Sequence, residues 1–314
     1  MSSFSRSLRV EDLLAGAFAL ALVAYGGARA LLSGLQLSES DYWDFSFILS
    51  PLSLLVFLAA LRYAMGGGRS LLADTGRQIV TIFRDWLPFL LFILFYEAFR
   101  SRLWMMVLGG DLDAELLAWD RRLFGETPAV WMDRLVSPTL TNLMTLAYFL
   151  HLILPPVVAF VWYRRSRRGF REFLLAVLLS GLLGSIGYMI VPAVGPAIAY
   201  PELFSTPLVG LLHEPITAVM DAARAPRDVF PSLHVGLSTI VLWYGAKLGR
   251  RWLWVLLLPV VGNWVSTIYL RYHYLVDVFA GWAVAALAIW LAWALLRLEE
   301  RWRAEPEARV GSRR

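Results

Sequence analysis

Apolar residues in this 314-residue chain run in long uninterrupted blocks, and the charged positions collect between them. Residues 139–163 contain no Asp, Glu, Lys or Arg, and neither do 252–270 or 278–296. A bilayer-spanning helix needs about 20 such residues. The pattern predicts eight spans, at 13–35, 45–65, 86–108, 139–163, 171–191, 232–248, 252–270 and 274–296. The third is the most interrupted, because Glu97, Arg100 and Arg102 follow its apolar start from Trp86 to Tyr96. Two stretches read as non-spanning. Residues 69–85 mix polar and apolar positions and look interfacial, and residues 111–137, with Asp111, Asp113, Asp120, Arg121, Arg122 and Asp133, are expected to form short surface helices. The predicted fold is all-α, a polytopic membrane protein of about eight transmembrane helices with a six-helix core. Its parts are 1–85 (two spans and the interfacial segment), 86–297 (the six-helix core) and 298–314 (a charged tail, expected as a frayed helix end).

Composition narrows this reading. Hydrophobic residues make up 59% of the chain and charged residues 17%, with a mean hydropathy of +0.61, outside the usual soluble range. The 14 Trp and 12 Tyr suit an integral membrane protein, since such rings favour the headgroup zone. The absence of cysteine excludes disulfides, thiolate metal sites and a cysteine nucleophile. Lys247 is the only lysine, and the arginines sit at span ends rather than along one face, so the net charge of +5 speaks for membrane orientation and not for nucleic acid. Arg6 and Arg9 precede an apolar run that reaches Ala28-Arg29-Ala30, which is similar to a signal-peptide cleavage site. That run continues through Leu31, Leu32 and Leu35, so it is expected to be a retained span.

Basic clusters at Arg164-Arg165-Ser166-Arg167-Arg168, at Lys247, Arg250 and Arg251, and at Arg297, Arg301 and Arg303 mark one side as cytoplasmic by the positive-inside rule. Residues 192–231 and the turn at 271–273 then face the other side. The expected location is the cytoplasmic (inner) membrane, with both termini cytoplasmic and the 192–231 side periplasmic or extracellular.

Two of the four histidines open spans on that far side. His273 and Asp277 are four apart, so on a helix they share a face. The carboxylate can hold one imidazole nitrogen and leave the other free to attack phosphorus. A carboxylate inside a span is costly and usually functional. In Phe230-Pro231-Ser232-Leu233-His234, Ser232 is a favoured N-cap and His234 falls in the first turn, beside N–H groups suited to an anion. A histidine there can protonate a departing alkoxide and later deprotonate an acceptor. Each motif alone could be structural, a satisfied polar pair or a capped helix with an incidental histidine. Together, at corresponding ends one span apart, they point to phosphoryl transfer.

These residues resemble the type-2 phosphatidic acid phosphatase superfamily, and within it the branch that includes inositol phosphorylceramide synthases. Pro231, Ser232 and His234 match its Pro-Ser-x-His signature, and His273 with Asp277 matches its His-x-x-x-Asp core. The run Tyr269-Leu270-Arg271-Tyr272-His273-Tyr274 looks like the synthase branch, as do Gly195-Pro196 and Leu123-Phe124-Gly125 with Pro128. The resemblance covers roughly 90–296. It departs where the phosphatases carry Lys-x6-Arg-Pro, since Lys247 is the only lysine, and where they carry Ser-Arg, since Ser266 is followed by Thr267. A phosphoryl group in flight needs its charge neutralised. Arg271 is the first candidate for that role, then Arg227 and Arg224.

The resemblance implies metal-independent chemistry without a cofactor: His273 nucleophile, Asp277 its orienter, His234 acid and base, with Arg271, Ser232 and Arg227 binding the phosphate. The expected partners are a phospholipid donor and a hydroxyl acceptor, or water. Transfer to an alcohol is the favoured function, through a phosphohistidine. A lipid phosphate phosphatase is the alternative, and a non-enzymatic transporter or scaffold the third reading. A metal site of two histidines and a carboxylate finds no further ligand nearby in sequence. Of the remaining polar residues, His151 reads as a helix-packing hydrogen bonder, His213 as a solvated surface residue and Glu97 with Arg100 as a structural pair. Asp120 reads equally as a local helix contact or part of an outer lid.

Overall fold

The computed structural model describes residues 110–222 and 227–311, with short pieces at 9–14, 16–17, 20 and 84–88. The first three predicted spans, the interfacial segment, the Glu97–Arg100 pair and Arg224 lie wholly or mostly outside the described residues. The chain divides into two compact units, Met1–Met106 and Val107–Arg314. The second is helical, with no strand among its described residues.

It opens with two short helices, α1 (Asp113–Phe124) and α2 (Pro128–Asp133). Gly125 ends α1 at φ +81, and its N–H donates to Arg121 O at 2.8 Å. Both helices were expected on the surface. Instead each buries one side, with Asp113, Leu116, Leu117 and Asp120 inside from α1 and Ala129 and Asp133 from α2.

Two long helices follow, α3 (Pro138–Arg165) and α4 (Arg167–Ile190). Each starts on a serine N-cap, which satisfies one of the amides a helix start leaves open: Ser137 accepts from Leu140 N and Ser166 from Gly169 N. Pro155 and Pro156 sit inside α3 without ending it. The loop beyond α4 holds the short α5 (Pro196–Ala199) and a 3-10 turn, Pro201–Leu203, before α6 (His213–Ala222). Three further helices complete the unit: α7 (Leu233–Leu248), α8 (Arg250–Tyr269) and α9 (Leu275–Gly311). The charged tail continues α9 as helix through Gly311.

Among the described residues, four helices are long and apolar enough to cross a membrane, Pro138–Arg165, Arg167–Ile190, Arg250–Tyr269 and Leu275–Ala304, which marks an integral membrane protein. At 16 residues, α7 is about 24 Å long and short of a ~30 Å hydrocarbon core. It is nonetheless the centre of the bundle, in contact with α3, α4, α8 and α9. A Cβ on Gly281 of α9 would lie 2.5 Å from Ser232 O and 3.3 Å from Gly236 N, so only glycine lets the start of α7 come this close to α9.

Candidate active site

Ser232 caps α7 as its sequence predicts, its hydroxyl accepting from Val235 N at 3.4 Å. Its own N–H donates to the Asp277 carbonyl at 3.1 Å. That bond ties the start of α7 to the start of α9. The residue is fully buried, so its hydroxyl serves the helix start.

The same contact brings the two motif histidines together. His234 Nδ1 lies 3.3 Å from His273 Nε2, with ring centroids 5.5 Å apart. On the other edge of His273, Nδ1 is 3.4 Å from Asp277 Oδ2. His273 is 2% exposed and Asp277 fully buried, while His234 is half-buried. The ring nitrogen of His273 not facing the carboxylate points at the second histidine.

The start of α9 is built by carboxylates. Tyr274 precedes the first helical residue and offers no short polar side chain to cap it. Asp120, from α1, supplies that function from a distance, accepting from Leu275 N and Val276 N at 3.1 Å each and from Thr127 Oγ1 at 2.8 Å. Asp277 reaches back to Tyr274 N at 2.8 Å. Asp113 holds the preceding loop: it accepts from Val194 N, Gly195 N and Tyr274 Oη, each at 2.9 Å. Gly195 has φ +89, and a Cβ there would meet Tyr272 O at 2.5 Å. These two aspartates are structural determinants of the site. The contacts of Asp120 to the start of α9 are long-range, not those of a local helix contact.

Of the three candidate phosphate-binding arginines, the two among the described residues, Arg271 and Arg227, are already paired. Arg271 donates to Asp133 Oδ1 at 2.6 Å and to the Thr206 carbonyl, and lies 4.5 Å over the Phe204 ring. Its Nε is buried without a hydrogen-bond partner, and its backbone takes the left-handed conformation at φ +63. Burial draws its guanidinium pKa down while Asp133 raises it. Asp133 in turn accepts from Ser205 N at 3.1 Å and Ser205 Oγ at 2.8 Å. Burial pushes the Asp133 carboxyl up, but the Ser205 bonds and Arg271 outweigh it and hold the pKa below its ordinary value. Arg227 pairs with Asp111 at a half-exposed position, and that hydrogen bond raises its pKa.

Three polar groups on α3 complete the surroundings, and sequence reading missed their relation to the motifs. Tyr148 Oη lies 2.8 Å from His234 Nε2. The His151 ring stands edge-to-face against His234 with centroids 4.4 Å apart, so its packing role is played beside the motif histidine. Thr145 Oγ1 meets His213 Nδ1 at 2.8 Å, so His213 is half-buried against α3 and not the solvated residue its loop suggests. Thr141, Thr145 and Tyr148 recur at four and three residues, one helix face, and that spacing was the available signal. Among the described residues no group of three or more His, Asp or Glu is arranged to hold a metal ion.

The sequence is similar to known proteins. A stretch of 147 residues is 31% identical to the phosphoinositol dihydroceramide synthase of Bacteroides thetaiotaomicron. The match takes in 42% of this chain and 48% of that protein, so the chain spans about half the length of this curated relative. No solved structure matches the chain. The family model described as the PAP2 superfamily matches residues 114–291, more than half of the sequence and the stretch that carries both histidine motifs; the chain belongs to the PAP2 superfamily.

Proposed function

We propose that this protein is a metal-independent lipid headgroup phosphotransferase that works through a phosphohistidine on the side of the membrane opposite its arginine clusters. The observation that carries the reading is the line Asp277–His273–His234, with contacts of 3.4 and 3.3 Å. His273 Nε2 attacks the phosphorus of a phospholipid donor as the bond to the glycerol-type oxygen breaks. Asp277, 3.4 Å from Nδ1, stabilises the ring as it becomes cationic. His234 gives its Nδ1 proton to the departing alkoxide, then recovers one from the acceptor hydroxyl, whose oxygen takes the phosphoryl group from His273. The two rings touch directly in this structure, whereas an in-line transfer between them needs about 6–7 Å. Donor binding therefore exchanges the imidazole–imidazole bond for two bonds to phosphate.

Charge neutralisation falls to the N-terminus of α7 and to Arg271, which exchanges Asp133 for the phosphate oxygens. Arg227, half-exposed and held by Asp111, is a weaker second cation. One available guanidinium suits a phosphodiester, with its single negative charge, better than a phosphomonoester dianion. The name of the Bacteroides relative gives its product as a phosphoinositol dihydroceramide; we assign this chain a donor with a phosphate-linked polyol headgroup and a lipid alcohol as acceptor.

The test incubates purified protein with headgroup-labelled phospholipid, with and without a long-chain amino-alcohol lipid. Label moving to that lipid, and lost in His273→Ala by at least about 1000-fold, is the expected result. Label released only as water-soluble phosphate, with or without acceptor, overturns transfer in favour of hydrolysis.

A further inference from the structure

We propose that Tyr148 is a positioning residue that sets which nitrogen of His234 handles the reaction's proton. The inference rests on the reading of His234 as acid and base and adds a residue to it. His234 has two ring nitrogens, and the direction of proton transfer depends on which one faces the phosphate. Nδ1 faces His273 at 3.3 Å, while Nε2 is held by Tyr148 Oη at 2.8 Å. With Nε2–H donating to the phenol oxygen, Nδ1 alone is left to exchange a proton with substrate. In the first step the His234 imidazolium gives Nδ1–H to the alkoxide and becomes the neutral Nε2–H tautomer. In the second step the Nδ1 lone pair takes the acceptor's proton, and the imidazolium is restored. The Tyr148 bond persists through both steps, so the ring neither flips nor changes tautomer.

The anchor itself is firmly held. Tyr148 is 5% exposed, and its ring lies 4.6 Å from His234 and 5.0 Å from Tyr272. Its backbone carbonyl accepts from Asn263 Nδ2 at 3.2 Å and from His151 Nδ1 at 2.6 Å. Since a carbonyl only accepts, His151 must carry its proton on Nδ1. That bond fixes the His151 ring edge-to-face on His234. Tyr148 thus grips the nitrogen of His234, and His151 walls its face.

The experiment separates proton delivery from general damage by varying the leaving group. Tyr148→Phe keeps the ring and removes the oxygen. First turnover is followed in wild type, Tyr148→Phe and His273→Ala, by base-stable label on the enzyme with a phospholipid donor, and by the nitrophenolate burst with a lipid nitrophenyl phosphodiester. A nitrophenolate leaves without a proton, whereas a glycerol-type alkoxide does not. Tyr148→Phe is expected to be slower by roughly 10- to 100-fold on the phospholipid and within about threefold of wild type on the nitrophenyl donor. Equal slowing on both donors assigns Tyr148 a structural role and overturns the proposal, as does wild-type speed on both. If His273→Ala labels normally, or wild-type protein labels with neither donor, the phosphohistidine reading fails and the role assigned to Tyr148 fails with it.

Discussion

At one end of the bundle, carboxylates meet arginine and lysine; at the other, they meet backbone amides and hydroxyls. At the arginine end Glu172 binds Arg168 and Lys247 at 2.9 Å each, Glu299 binds Arg171 and Arg303 at 2.7 Å each, and Glu300 binds Arg168 at 2.7 Å. The cations there are 25–47% exposed. At the histidine end Asp113 and Asp120 are 5% and 0% exposed and hold five backbone or hydroxyl protons plus the phenol of Tyr274. The first arrangement balances charge at a water boundary, where each pair is worth little. The second fixes loop and helix starts to within a hydrogen-bond length, which is what a site for in-line displacement requires. Asp133 with Arg271 and Asp111 with Arg227 are the exceptions, ion pairs placed among the backbone-binding acids.

The comparison is tested most severely at Asp120. Replacing it with alanine orphans the N–H groups of Leu275 and Val276 and the hydroxyl of Thr127. The expected cost is about 2–4 kcal/mol in unfolding free energy. Because α9 starts at that point and carries Asp277 in its first turn, transfer is expected to drop by roughly 100-fold even where the protein stays folded. Thermal unfolding in detergent and a transfer assay read the two effects separately. An Asp120→Ala protein with wild-type stability and rate would put the histidine-end carboxylates on the same footing as those at the arginine end.

The bundle could be read from sequence because membrane spans declare themselves locally, in runs of apolar residues. The cap at Ser232 is local too, and the structure forms it as the sequence predicts. The His273–Asp277 spacing brings the pair to 3.4 Å, but not as one helix face: α9 starts only at Leu275, so His273 approaches from the turn before it. What escaped is what depends on distant partners. Asp120 sits in a stretch that reads as surface helix, yet its partners at Leu275 and Val276 are more than 150 positions away. His151 looks like a lone polar residue in a span until α7 brings His234 against it. Arg271 reads as an unpaired cation, because nothing near it in sequence announces Asp133, 138 residues upstream. Side-chain pairs of that separation leave no periodic trace in a single sequence.

A smaller effect is expected at Glu172, whose side chain is 5% exposed but whose partners Arg168 and Lys247 are 47% and 40% exposed. Glu172→Gln removes the charge, but both cations can turn to water, so the loss stays near 1 kcal/mol instead of the larger value for a fully buried pair. Transfer should be unchanged, which separates this end from the other. Asp133 offers a pH version of the test. Its pKa lies below the ordinary 3.8 in the folded protein, so its contribution is complete above that value and is lost as pH falls through the depressed folded pKa. Asp133→Asn should therefore flatten the stability profile below about pH 4; an unchanged acid limb would show that the Ser205 and Arg271 contacts do not hold the carboxylate.

Glu300 marks the lower limit of the comparison. It is half-exposed, its single partner Arg168 is 47% exposed, and Arg168 keeps Glu172 when Glu300 is removed. Holding two long side chains in one geometry offsets most of the attraction, and salt at physiological strength screens the rest. Glu300→Ala should shift unfolding by no more than about 0.5 kcal/mol, and the shift should vanish in about 0.5 M salt. A salt-resistant loss of 2 kcal/mol or more would mean that this pair is shielded from water. The arginine end would then have to be treated as a built electrostatic network, held as tightly as the hydrogen bonds around the histidines.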